Sequence, residues 1–167
     1  MPGAPDLPGV VGAFNASGAR HVIIGGFAVI AHQHIRATED VDLLIPEDEQ
    51  NDILVLEALK ALGARRMDAR EVTLDELSTT ANLRVDGGEH GIVDLLHEGV
   101  APLDFASVDD GAITATVREV PMRFAGLESL VAFKRLAGRP LDRQDLEALE
   151  AIHGPLPIRP IPGLDDR

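Results

Sequence analysis

The chain has no cysteine, no tryptophan and no tyrosine. Without cysteine, disulfides and thiolate metal sites are excluded. Without Trp and Tyr, any base stacking falls to a phenylalanine, an arginine or an aliphatic wall. No stretch is long and apolar enough to span a membrane, so no membrane partner is expected. The opening Met1-Pro2-Gly3-Ala4-Pro5-Asp6 lacks the basic region and apolar run of a signal peptide, which makes the cytoplasm the expected location. What remains fits one ordinary domain: 167 residues, with 45% hydrophobic content to build a core. The formal net charge of -13 repels a long nucleic-acid duplex unless a local basic patch overrides it. The arginines are spread along the chain, so only folding can gather them.

Punctuation by Gly, Pro and capping residues divides the chain. Val10 to Ala16 reads as a helix stopped by Ser17-Gly18. His21 to Ile24 is a short apolar run suited to a buried strand. Gly25-Gly26 breaks it, and Phe27 to His34 reads as a helix. Asp40 to Ile45 is the next strand, ended by Pro46. Asp48 or Asn51 can cap a helix through Leu62, closed by Gly63. Ala81 to Val85 and Gly91 to Leu96 form a candidate hairpin around Asp86-Gly87-Gly88-Glu89. Ile113 to Val117 and Val120 to Phe124 are further strands. Leu127 to Leu136 and Leu141 to Ile152 are helices separated by Gly138-Arg139-Pro140. The expected fold class is α/β (α+β): a mixed sheet flanked by helices, with a C-terminal helix pair. Residues 1–153 make the domain, and 154–167 form a proline-rich tail.

The chemistry lies between Ile24 and Ile45. Side chains alternate along a strand, so Asp40 and Asp42 share one face while Val41 and Leu43 enter the core. Two carboxylates ~4 Å apart at an effective dielectric of ~20 repel by roughly 4 kcal/mol. A divalent cation turns that cost into binding, and hard carboxylate oxygens suit Mg²⁺, which keeps sites for water and phosphate. Gly25 and Gly26 let the backbone approach a phosphate closely, and the following helix would point free N–H groups at it. A third carboxylate, Asp94, sits in the apolar run Ile92-Val93-Asp94-Leu95-Leu96, where an unpaired acid is costly. If its strand neighbours the Asp40–Asp42 strand, the three converge. Asp94 could then bind metal and act as general base in an in-line displacement. Arg36 and Thr38, just before Asp40, can hold phosphates, orient Asp40 or merely finish the loop.

The Gly25-Gly26 turn, the spaced Asp40-Val41-Asp42 and the later Asp94 resemble the DNA polymerase β-type nucleotidyltransferase superfamily. The stretch from Gly25 to Asp42 is most similar to the small bacterial AbiEii-like, toxin-associated nucleotidyltransferases, and also to the aminoglycoside and lincosamide nucleotidyltransferases. The segment Ser129 to Leu146 adds to this, with Lys134 followed by Arg139, Asp142 and Asp145 on two helices. The resemblance implies a minimal nucleotidyltransferase fold. It implies Mg²⁺-dependent (or Mn²⁺-dependent) transfer of a nucleoside monophosphate from a nucleoside triphosphate, with release of pyrophosphate. It implies that Lys134 contacts phosphates and that Arg139, Asp142 and Asp145 support the site. The acceptor is a tRNA end, a protein or a small molecule, and an antitoxin or other protein partner is expected to complete a toxin-type site. A catalytically silent nucleotide- or partner-binding module is the alternative.

Each residue also has a plainer reading. Gly25-Gly26 is an ordinary strand-to-helix turn in many proteins. Asp94 can be a core carboxylate paired with an arginine. Lys134 can lie on the solvent face of an amphipathic helix. Arg139, Asp142 and Asp145 can be caps and surface ion pairs worth little each. His32, His34, His90 and His97 match no tight zinc spacing.

Overall fold

The computed structural model describes residues 2–166. In chain order its elements are α1 (Leu7–Ser17), β1 (Val22–Ile24), α2 (Gly25–Ala31), β2 (Asp40–Ile45), α3 (Glu49–Ala61), β3 (Arg65–Arg66) and α4 (Leu74–Thr79). Then follow β4 (Asn82–Asp86), β5 (Ile92–His97), α5 (Phe105–Asp110), β6 (Ile113–Val117), β7 (Val120–Phe124), α6 (Leu127–Ala137) and α7 (Pro140–His153). The strands form one mixed sheet in the order β3-β4-β5-β2-β1-β7-β6. β2 runs parallel to β5, and β1 parallel to β7; the other pairs are antiparallel. This is the expected mixed sheet with flanking helices.

Local chemistry sets the ends of the elements. The Asp6 side chain accepts from the Gly9 N–H to open α1, and left-handed Gly18 closes it. Asp48 caps α3 by accepting from Gln50 and Asn51. Asn51 is needed elsewhere: its side chain bonds both backbone groups of Arg20. Gly138 ends α6 in the left-handed region, and Pro140 begins α7, where a missing N–H costs nothing.

Strand alternation decides which residues face which layer. Ile23, Val41, Leu43, Ile45, Val85, Val93 and Leu95 pack with Val10, Val11 and Phe14 of α1 and Val55 and Leu59 of α3 in the main core. On the opposite face Val22, Ile24 and Leu44 pack with Phe105 and Val108 of α5. Ala28 and Val29 of α2 pack against Leu130 of α6 and Leu149 of α7. This second face therefore carries apolar cover at Leu44, and carboxylates at Asp40 and Asp42.

Three features differ from the sequence reading. Helix α2 begins at Gly25 rather than Phe27, because Gly25 adopts φ +67 and turns the strand directly into the helix. It stops at Ala31, short of His34, as Gln33 takes φ +80. Elements β3, α4 and α5 have two to six residues, too few for a periodic pattern to show. Residues after Gly154 are not merely extended: Ile161 is buried with Leu103 and Ala132, and Arg135 pairs with Asp165 at 2.6 Å.

Candidate active site

The parallel pairing of β2 and β5 sets Asp42 directly beside Asp94, with Asp40 one pleat away on the same face. One carboxylate oxygen from each of Asp40, Asp42 and Asp94 lies within 4.8 Å of the other two. Among the described residues this is the one such group of three or more potential metal ligands. Burial first, then the charges of Asp40 and Asp94, push the Asp42 carboxyl up to about 8. Burial also pushes the Asp94 carboxyl up, against the opposing pull of Arg84. Three acids crowded on one face, with Arg84 as the one cation in contact with them, can give their oxygens to a divalent ion. Their hard oxygen donors fit Mg²⁺ or Mn²⁺.

The turn into α2 is fitted to these acids. A Cβ on Gly25 would stand 2.0 Å from Asp42 Oδ2, and one on Gly26 would stand 2.4 Å from Thr38 Oγ1. No side chain is accommodated at either position without moving Asp42 or Thr38. The hydroxyl of Thr38 donates to the Asp40 carbonyl at 3.3 Å. Gly25 thus lies against the Asp42 carboxylate and Gly26 against Thr38, at the β1 side of the triad.

Lys134, Arg139, Asp142 and Asp145 form a buried network rather than a surface one. Asp145 is fully enclosed and Asp142 nearly so. Lys134 Nζ sits between them, 3.0 Å from Asp142 and 2.9 Å from Asp145. Arg36 reaches across from the loop after α2 and grips both oxygens of Asp145 at 2.8 Å. Arg139 binds Asp142 at 2.7 Å while 73% of its side chain stays exposed. Burial works against ionising Asp145, but the Arg36 and Lys134 hydrogen bonds outweigh it and hold the carboxyl below the usual range. Arg139 is held above its ordinary range by the Asp142 hydrogen bond first, and also by the charges of Asp42 and Asp40. The network therefore presents a guanidinium within electrostatic reach of the triad. Lys134 lies neither on a solvent face nor free: helix α6 turns it inward, where a lone ammonium would be unaffordable and two carboxylates stabilise it.

Sequence reasoning assigned nothing to Arg84. It stands opposite Asp94 across the β4–β5 ladder and bonds Asp94 at 3.3 Å and Asp40 at 3.4 Å. The hairpin pattern was its signal, since register pairs residues on a shared face. The histidines go to separate partners. His32 bonds the Ala125 carbonyl, His90 bonds Asp6, and His97 is buried against Asp52 at 3.0 Å. His34 lies 3.8 Å from Asp145.

No protein-family model matches the sequence, and no curated protein sequence does. Solved structures do. The chain is similar to ANT(2″)-Ia in complex with adenylyl-2″-tobramycin: 16% identity, TM-score 0.59, covering 87% of this chain and 86% of that one. It is also similar to the solution structure of the antibiotic-resistance factor ANT(2″)-Ia: 17% identity, TM-score 0.56, covering 87% of each chain. At such identities the shared feature is the fold, and the chain has the nucleotidyltransferase fold.

Proposed function

We propose that the protein is a divalent-metal-dependent nucleotidyltransferase that moves a nucleoside monophosphate from a nucleoside triphosphate to an acceptor hydroxyl. The observation that carries this reading is the convergence of Asp40, Asp42 and Asp94 on one sheet face beside Gly25. Asp40 and Asp42 would hold Mg²⁺ or Mn²⁺, with Asp94 completing the set. The bound metal would supply charge neutralisation at the phosphates and at the attacking and leaving oxygens. Asp94 takes the proton of the attacking hydroxyl. The acceptor oxygen bonds to the α-phosphorus, the bond to the bridging oxygen breaks, and pyrophosphate leaves.

Gly25 and Gly26 allow the triphosphate to approach the backbone at the start of α2. Arg36, Thr38 and Arg139 are the groups assigned to the phosphates. Lys134 is assigned a supporting part, holding Asp142 and Asp145 so that their arginines keep their places. In-line displacement puts the attacking hydroxyl and the leaving pyrophosphate on opposite sides of phosphorus. With the phosphates at the β1 side, the acceptor belongs at the β4 side, where a cleft of about 370 Å³ is lined by Arg66, Asp68, Glu76, Asn82 and Arg84.

A small-molecule acceptor is the favoured class. ANT(2″)-Ia was solved with an adenylylated small molecule, and a net charge of -13 opposes a wide nucleic-acid footprint. A tRNA end or a protein, the acceptors of a toxin-type enzyme acting with an antitoxin, is separated by experiment. The protein is incubated with each α-labelled nucleoside triphosphate, Mg²⁺, and separate pools of cellular RNA, protein and small molecules. Label is expected in the small-molecule pool. Label in tRNA or protein would transfer the assignment to a toxin-type enzyme. Nucleotide binding with no labelled product in any pool would instead mark a silent nucleotide-binding module.

A further inference from the structure

Arg84 is a cation placed where the proposed metal chemistry needs none of its own. Its strand register puts it on the triad's face. One guanidinium spans two acids on two strands, at 3.3 Å from Asp94 and 3.4 Å from Asp40. These are long, single-donor contacts. Arg36 on Asp145, with two parallel bonds at 2.8 Å, shows what a fixed arginine looks like in this protein. Arg84 is also 49% exposed, and it borders the cleft beyond β4. It has weak attachments on one side and open space on the other.

A divalent ion shared by Asp40, Asp42 and Asp94 would draw on two of the carboxylates that Arg84 contacts. Two positive groups cannot share them without repulsion. We propose that Arg84 is a tethered counter-cation of the metal-free triad, which a divalent ion displaces toward the cleft. Its charge weakens metal binding to the nucleotide-free protein. The triphosphate brings negative charge that offsets this, so the metal is retained chiefly when the nucleotide arrives with it. The inference rests on the reading of the triad as the metal site, and it makes Arg84 a determinant of metal affinity and of binding order.

The test measures Mn²⁺ binding from the electron paramagnetic resonance signal of free Mn²⁺ at about pH 7.5. The proteins are the full chain, Arg84→Gln and Arg84→Lys, each with and without a non-hydrolysable nucleoside triphosphate analogue. Without nucleotide, Arg84→Gln is expected to bind Mn²⁺ about tenfold more tightly than the unaltered chain, the scale of one nearby charge in a partly solvated site. Arg84→Lys is expected to stay close to the unaltered chain, because it keeps the charge. With the analogue the difference is expected to narrow. Arg84→Gln binding no more tightly than the unaltered chain, or Arg84→Lys binding as tightly as Arg84→Gln, would overturn the inference while leaving the metal site standing. No Mn²⁺ binding by any of the three, with or without analogue, would overturn the metal reading and this inference with it.

Discussion

Replacing Asp42 with asparagine is expected to abolish metal-dependent transfer, by about a thousandfold or more, while making the metal-free protein more stable. The two effects have one origin. Asp42 adjoins Asp40 and Asp94, and its carboxyl is pushed up to about 8, mainly by burial and then by those neighbours. In the unfolded chain the same carboxyl titrates near 3.8. Between these values the folded protein keeps a proton that the unfolded chain has lost. The unfolded state binds fewer protons, so stability falls as pH rises from about 4 to about 8 and then levels. Each unit of displacement is worth about 1.4 kcal/mol, so the acid costs the metal-free fold a few kcal/mol at the top of this range. Asparagine keeps the shape and removes the charge. Thermal unfolding of the metal-free proteins at pH 5 and pH 8.5 is expected to show a large drop for the unaltered chain and a small one for Asp42→Asn. Mg²⁺ or Mn²⁺ at millimolar concentration is expected to restore the unaltered chain at pH 8.5 and to leave the variant unmoved. An unaltered chain that is equally stable at both pH values would contradict this account.

Replacing Asp145 with alanine is expected to destabilise the protein by about 3–5 kcal/mol, the usual cost of removing one partner from a buried charge pair. Its side chain is fully enclosed and accepts from Arg36 and Lys134 together. Without it Lys134, only 7% exposed, faces Asp142 alone, and Arg36 loses both of its fixed bonds. Arg36 belongs to the loop after α2, while Asp145 belongs to α7, so the loss also frees the loop that carries Thr38. Urea unfolding reads the stability loss. Nucleoside triphosphate affinity, measured on protein confirmed as folded, is expected to fall with it. Asp145→Asn is expected to recover part of the stability, because it keeps an acceptor for Arg36. A surface ion pair would give a change of at most about 1 kcal/mol, and that outcome would reject the network as a structural unit.

Much of the site was legible because it rests on local rules. The alternation Asp40-Val41-Asp42-Leu43 assigns faces without knowledge of neighbours, and β2 has the limits the sequence suggested, ended by Pro46. Asp94 could be placed on an apolar strand, and the structure puts that strand next to β2 in parallel. The three carboxylates converge, and Asp94 also has the arginine partner that its plainer reading gave it. What was not legible depends on distant partners. Arg36 and Asp145 are 109 residues apart, and no spacing rule joins a loop after α2 to a helix near the C-terminus. Lys134 sits in a helix whose pattern allows a solvent-facing lysine. Only the arrival of α7 with two acids gives it a buried place. The short elements β3, α4 and α5 escaped because at most two buried side chains make no period.

The most direct measurement is a crystal grown with Mn²⁺ and a non-hydrolysable nucleoside triphosphate analogue, with the ion located by its anomalous scattering. The account predicts Mn²⁺ bound by Asp40 and Asp42, with the triphosphate lying against Gly25-Gly26 and within reach of Arg36 and Arg139. Nucleotide bound elsewhere, or bound here with no ion at the three aspartates, would contradict it.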